Sequence, residues 1–351
     1  MLTAKLQRIA VPKRFFTSLF FSLFFLVSLY SQDPIFSQFY AAPFQINPAF
    51  VGNTYAPKIS LNYRDQWRGF NSAYQTASLT YEQFVPLVNS GFALNITADA
   101  AGDGVFKTNA ISGFYTYRLK VKENLYFKWG FEASVVQSKL DWNKLIFTDQ
   151  IDSFFGAFDN LGNPNPTLET PPDKLRNTYL DVSTGLIVYS TKWYGGFSLK
   201  HITTPDNRYW TSFSNLNDGL PVRTTFHAGS QFELFVGNKS IRTAFISPNL
   251  VYTKQGDFSQ VNVGAFARVG RIFAGAWYRH SNSNSDAPIF LVGVEEGIMK
   301  IGYSYDYTIS QLGGNTGGSH EISVVFNFDN SAVNRRKRNR PDYNDCFQLF
   351  R

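Results

Sequence analysis

The chain has 351 residues, enough for one large barrel or two ordinary domains. It holds 35 Phe, 19 Tyr and 6 Trp but only 17% charged residues, and its mean hydropathy of −0.20 is too polar for a helical membrane protein. A formal charge of +7 invites a nucleic-acid reading, but the excess sits at the two ends. Lys5, Arg8, Lys13 and Arg14 open the chain and a basic stretch closes it, so the body is neutral and no nucleic-acid face is expected.

Residues 1–31 read as a cleaved signal peptide. A basic start is followed by an apolar run, Phe15 to Tyr30, and by the small Ser31. The run of about sixteen residues falls short of the ~20 that a spanning helix needs. Beyond it no apolar stretch is long enough to span, so an exported chain of this kind is periplasmic, released or a barrel. The single cysteine, Cys346, allows no internal disulfide and reads as a free periplasmic thiol.

Residues 32–56 form a segment ahead of the first strand and are expected on the periplasmic side. Within it Asn47-Pro48 and Gly52 read either as a turn, since proline fixes φ and disfavours helix before it, or as a plugging or docking element.

From residue 57 the period is two. In Leu125–Val135 the odd positions are apolar; in Lys300–Tyr307 one face is Ile/Tyr/Tyr/Tyr and the other Lys/Gly/Ser/Asp. About fourteen such segments follow: 57–65, 73–83, 90–100, 107–121, 124–141, 178–190, 192–202, 223–236, 240–253, 258–269, 271–280, 287–295, 298–308 and 319–328, near the ~9–11 residues a tilted strand needs to cross a bilayer. Links from even to odd strands are short (86–89, 122–123, 190–191, 237–239, 270, 296–297). Those from odd to even are mostly longer, including 142–177, 203–222, 281–286 and 309–318. Unequal rims of this kind define a transmembrane antiparallel up-and-down β-barrel over 57–328. An even strand number places both chain ends on the periplasmic side. Hydrocarbon offers no hydrogen-bond partners, so the sheet must close.

Asp306 and Glu321 fall on the lumen face, with Lys300, Arg268, Arg279 and Lys128 as candidate partners, since an unpaired buried charge is costly. Abundant Tyr, Phe and Gln read as filling the lumen. Trp67-Arg68-Gly69-Phe70 lies in the first long loop, where Trp67 reads as an interface-belt residue or a partner contact. His201, His227, His280 and His320 are scattered without metal spacing, and His320-Glu321 lacks the second histidine of a zinc-protease helix. Asp149, Asp152 and Asp159 in loop 142–177 fit no standard calcium loop. No cofactor, metal, catalytic residue or small-molecule substrate is therefore expected. Arg335, Arg336, Lys337, Arg338 and Arg340 in the tail, 329–351, read as a contact for lipid headgroups or an acidic partner, or as a solvated end.

Gln32-Asp33-Pro34-Ile35-Phe36-Ser37-Gln38-Phe39-Tyr40 and Ile46-Asn47-Pro48-Ala49-Phe50-Val51-Gly52 resemble the PorP/SprF family of type IX secretion proteins of Bacteroidota. So do Arg64-Asp65-Gln66-Trp67-Arg68-Gly69-Phe70, Gly302-Tyr303-Ser304-Tyr305-Asp306 and Gly318-Ser319-His320-Glu321-Ile322-Ser323, in order along the mature chain. The family's glycine-rich Asn-Asp turn after the third strand is replaced here by Asp99–Gly104. The resemblance implies an integral outer-membrane accessory of type IX secretion. It would assist export or surface attachment of a large adhesin, through that cargo's C-terminal sorting domain and machinery partners, with a link to gliding motility. It marks Asn47, Pro48, Gly52, Trp67, Gly69, Tyr303, Tyr305, Asp306, Gly318, His320 and Glu321 as motif positions without an assigned role. A porin or small-solute transporter is the alternative function.

Overall fold

The computed structural model describes residues 33–70, 74–209, 219–234, 244–282, 286–309, 316–331 and 334. The signal segment, Cys346, the basic cluster 335–340 and the turn at 237–239 lie outside these residues. Among the described residues no helix is long and apolar enough to cross a membrane, which has no bearing on a barrel.

Among the described residues fifteen strand segments form one antiparallel sheet. They are β1 (Lys58–Gln66), β2 (Tyr74–Val85), β3 (Ser90–Ala101), β4 (Phe106–Lys122), β5 (Leu125–Leu140), β6 (Arg176–Tyr189), β7 (Trp193–Lys200), β8 (Arg223–Ser230), β9 (Phe232–Glu233), β10 (Ala244–Gln255), β11 (Phe258–Val269), β12 (Ile272–Ser281), β13 (Ala287–Glu296), β14 (Met299–Asp306) and β15 (Ser319–Asn327). β8 and β9 both pair with β10 and are parted only by Gln231, whose N–H donates to the Lys192 carbonyl. They make one stave, so the barrel has 14. It closes where β1 meets β15, from Lys58↔Asn327 to Gln66↔Ser319. Each backbone group in a stave thus finds a neighbour on both sides, the condition for crossing hydrocarbon.

Alternation assigns the faces. Along β1 and β2 the inward residues are Lys58, Ser60, Asn62, Arg64, Thr76, Ser78, Thr80 and Glu82, all buried, while Leu61, Tyr63, Leu79 and Tyr81 stay exposed to lipid. These two staves therefore line the lumen with small and polar groups, whereas β11 and β12 turn Phe266, Phe273 and Trp277 inward.

One rim carries tight turns: Pro86–Val88 with Asn89 left-handed at φ 49, Glu123-Asn124 with Asn124 at φ 61, and Gly270-Arg271 and Gly297-Ile298 with the glycines at φ 62 and 60. Asparagine and glycine tolerate that region best. The other rim carries 141–175 and 201–222, but also two short links, Gly102–Val105 and Gly256-Asp257, so loop length follows parity only in part. Lys58 and Asn327 stand together at the short-turn rim.

Leu79 faces lipid midway along β2, opposite Leu61 and Ile96. Leu79→Arg is expected to cost about 2–4 kcal/mol if it lies near the bilayer midplane, read as a lowered urea midpoint for folding into lipid vesicles.

Candidate functional site

Residues 33–56 do not precede the barrel in space; they run through its lumen. Asp33 stands at the long-loop rim, its Oδ2 2.6 Å from His201 Nε2, just past β7, and 2.9 Å from an Arg223 nitrogen at the start of β8. At the far end the N–H groups of Tyr55 and Ala56 donate to the Asp329 carboxylate (3.2 and 2.7 Å), just past β15. The described chain therefore starts at the rim opposite the one where β15 ends. The expectation of both termini on one side counts staves correctly but misses this passage.

The segment has only two short 3-10 turns, Pro43–Gln45 and Pro48–Phe50, so most of its backbone groups need partners from outside it. The wall supplies them. Glu321 accepts from the N–H of Ser37 (2.7 Å) and of Gln38 (3.0 Å), and Glu82 from that of Gly52 (2.8 Å). Arg223 donates to the Gln45 carbonyl (2.6 Å), Ser198 to that of Ile46 (2.6 Å), Thr116 to that of Val51 (3.1 Å), and Lys128 to those of Val51 and Gly52.

The densest anchor joins the plug to four staves. An Arg64 nitrogen lies 2.8 Å from Asp306 and another 3.2 Å from Glu321, while Arg279 lies 3.0 Å from Asp306. The Ser37 hydroxyl donates to Asp306 and accepts from Arg64 and Arg279 at 2.7–2.8 Å. All five side chains are buried. Gln38 continues the contact, its amide donating to the Glu321 carbonyl at 2.8 Å and to Ser304 at 3.2 Å.

Below it lies a hydrophobic core. Phe39, Tyr40, Ile46 and Phe50 of the plug pack on Tyr194, Phe266, Phe273, Trp277 and Ile289 of the wall, and Phe36 and Phe44 on Phe114 and Ala93. Rings meet edge-on at Phe39–Trp277, Tyr40–Phe273 and Phe50–Tyr194, a favoured arrangement. A residual cavity there of about 10 Å³ is no more than a water's room.

Mid-lumen, Asn47 is fully buried. Its side-chain oxygen caps the Ala49 N–H (2.8 Å); its amide donates to the Leu186 and Phe197 carbonyls (3.0 Å each) and lies 2.9 Å from His227 Nε2. Two wall glycines permit this approach: a Cβ at Gly185 would collide with the Asn47 side chain, and one at Gly130 with the Ala49 backbone.

At the long-loop end His201 bridges Asp33 and Asp181. Burial alone would lower its pKa, but the two carboxylates outweigh this and raise it from 6.5 to about 9. Burial would raise that of Asp33, and His201 and Arg223 outweigh it and hold it well below the usual carboxylate range.

The sequence motifs divide between the two faces of the wall. Asn47, Pro48, Gly52, Asp306 and Glu321 are buried in the lumen. The Trp67 N–H donates to the Gly318 carbonyl (2.8 Å) and its ring meets Tyr74 edge-on, so two motifs lock at the long-loop rim, where Gly69 also approaches Gly317. Tyr303, Tyr305 and His320 form an outward cluster, with the Tyr303 hydroxyl 2.7 Å from His320 Nδ1. Of the four candidate cations only Arg279 meets the Asp306–Glu321 pair. Arg268 pairs with Glu295 (2.7 Å), Lys128 holds the plug backbone, and Lys300 sits 4.2 Å over the Tyr40 ring. Lys300 and Asp306 occupy opposite ends of β14, about 20 Å apart at strand rise, too far to pair. Arg64 and Ser37 carry the anchor instead; the signal for Arg64 was its place on the polar face of β1. The lumen is filled by the N-terminal segment together with inward wall aromatics such as Phe266, Phe273 and Trp277.

These features define a transmembrane β-barrel closed by its own amino-terminal segment. Residues 28–326 match the family described as type IX secretion system membrane protein PorP/SprF, so the chain belongs to that family and is an outer-membrane component of type IX secretion. No curated protein matches it. Among solved structures it is similar to the TodX deltaS2S3 mutant monoaromatic hydrocarbon channel (10% identity over 82% of this chain and 94% of that one, TM-score 0.46). It is also similar to a Pseudomonas aeruginosa FadL homologue (10%, 78% and 90%, 0.37) and to the KdgM porin (6%, 77% and 98%, 0.33). Likeness of this degree says nothing of what this chain carries.

Arg64→Met would leave buried Glu321 without a cation and Asp306 with Arg279 alone, and the expected loss is about 3–5 kcal/mol, seen as a lower melting temperature of the heat-modifiable band. The Asp33–His201 clasp depends on pH in a defined way. His201, with a raised pKa, contributes stability fully present below pH 6.5 and lost as pH rises through about 9. Asp33, with a lowered one, contributes stability present above pH 3.8 and lost in stronger acid. Hydrogen-exchange protection at residues 33–37, corrected for intrinsic rates, should fall above pH 9, and His201→Phe should abolish that step.

Proposed function

We propose that this chain is a non-conducting, non-enzymatic accessory of type IX secretion that binds cargo and machinery at its two rims. It would assist export or surface attachment of a large adhesin recognised through its C-terminal sorting domain, and serve gliding motility in Bacteroidota. The observation that carries this reading is the occupied lumen: residues 33–56 thread the barrel from rim to rim, held by wall side chains such as Glu321, Glu82, Arg223, Ser198, Thr116 and Lys128, which leaves the loops and ends as working surfaces. The porin alternative needs an open passage, and the fit of the plug argues against it.

In this reading the long loops face outward and the short turns face the periplasm. The chain after β15, with Arg335, Arg336, Lys337, Arg338 and Arg340, then lies on the periplasmic side, where an anionic headgroup or acidic partner would meet it. The plug's beginning at Asp33 lies at the outer mouth.

Deleting the gene is expected to remove one or a few large proteins from the cell surface, while the purified barrel gives no steady large conductance in planar bilayers. Unchanged surface proteins together with porin-sized conductance would overturn the reading. Orientation is checked in a Cys346→Ser background: Leu168→Cys should react with an impermeant maleimide on intact cells, and Leu87→Cys only after the outer membrane is opened.

A further inference from the structure

Loop 141–175 is the longest described loop of its rim, and it is folded. Its base is tied to the neighbouring loop, with the Asp141 N–H donating to the Val105 carbonyl (2.8 Å) and Lys144 to that of Asp103 (2.6 Å). Gln150 and Asn165 clasp it across the middle, each side-chain amide donating to the other's backbone carbonyl at 2.6 and 2.7 Å.

This ordered frame displays large apolar side chains. Phe154 is 91% exposed, Phe155 65%, Leu161 87% and Leu168 94%. Three aspartates fix the backbone of these same residues. Asp152 accepts from the N–H groups of Phe154 (2.8 Å) and Phe155 (3.0 Å), Asp159 from that of Leu161 (2.8 Å), and Asp149 from that of Leu168 (2.7 Å). Hydrogen bonds hold all three carboxyls below their ordinary pKa, from Leu168 for Asp149, from Phe154 and Phe155 for Asp152, and chiefly from Asn163 for Asp159, so they stay charged. Anchors whose backbone is fixed in advance lose less freedom on binding, and Phe is enriched at interface cores. Four such exposed side chains on one folded loop, two of them adjacent in sequence, offer apolar anchors to a partner.

The charge selects the partner. Six acidic residues, Asp141, Asp149, Asp152, Asp159, Glu169 and Asp173, stand against two basic ones, Lys144 and Lys174, in the sequence of the loop. An acidic loop is repelled by an anionic outer leaflet and attracts a basic protein. We propose that loop 141–175 is the docking surface for an exported protein, one whose binding face sets lysine or arginine beside apolar side chains. This rests on the secretion reading above and names the surface that serves it.

The test uses the full-length chain and a triple variant, Phe154→Ser, Phe155→Ser and Leu161→Ser, whose altered side chains are solvent-exposed and whose folding is checked by heat-modifiable mobility. The probe is a purified surface protein that the deletion strain fails to display. The proposal expects the triple variant to bind it at least tenfold more weakly and to lose its display, and expects wild-type binding to weaken as salt rises. Wild-type binding and display by the triple variant, with display still lost on deletion, would overturn the docking surface and leave the secretion role standing. Loss of no surface protein on deletion would overturn both. With Phe154→Trp, a blue-shifted emission in vesicles containing lipopolysaccharide would assign the loop to lipid, and loop-dependent dimers would assign it to a second copy; either result overturns the proposal.

Discussion

Every backbone N–H and carbonyl withdrawn from water needs a partner, and this requirement shapes the molecule twice. In the wall it forces closure, since a stave with an open edge in hydrocarbon would leave a row of groups unpaired. In the lumen it governs residues 33–56, which are too irregular to satisfy themselves. There Glu321, Glu82, Arg223, Ser198, Thr116 and Lys128 each reach a plug backbone group. Part of the polar lining of the barrel is the other half of the plug's hydrogen bonding, and another part pairs within the wall, as Ser78 with Asn95 and Ser112 with Ser134.

The buried charges follow from the same arrangement. Arg64, Arg279, Asp306 and Glu321 come from four different staves and would repel or strand one another singly. Together, with Ser37 threaded among them, they are mutually compensated. Such a cluster adds little net stability over apolar packing, but breaking it is costly. Its contribution is to fix where the plug sits. The aromatic core below supplies non-directional attraction, and the glycines at 130 and 185 set how deep the segment lies.

Much of the wall was legible in the sequence because a period of two is a direct image of a two-faced strand. The faces of Lys300–Tyr307 and the inward placing of Asp306 and Glu321 followed from alternation alone. The path of residues 33–56 was not legible, because an irregular segment has no period and its partners lie up to 285 positions away, as in Gln38 with Ser323. For the same reason Arg64 appears only as part of a motif, and alternation alone does not show that Lys300 lies at the opposite end of its stave from Asp306. The break at Gln231 and the two-residue link Gly256-Asp257 depend on neighbouring staves and on local turn geometry, which hydropathy does not record. The motif residues that seemed equivalent in sequence divide by face: Glu321 holds the plug, while its neighbour His320 points outward to Tyr303.

The central claim is that residues 33–56 occupy the lumen of the assembled barrel. A Cβ on Gly185 would touch the Asn47 side chain, so Asn47→Cys and Gly185→Cys sit at disulfide range once the asparagine is shortened. In cells carrying both substitutions with Cys346→Ser, mild oxidation should form an intramolecular 47–185 cross-link, identified by peptide mass. Its absence, with both thiols freely alkylated in the folded barrel, would contradict the account.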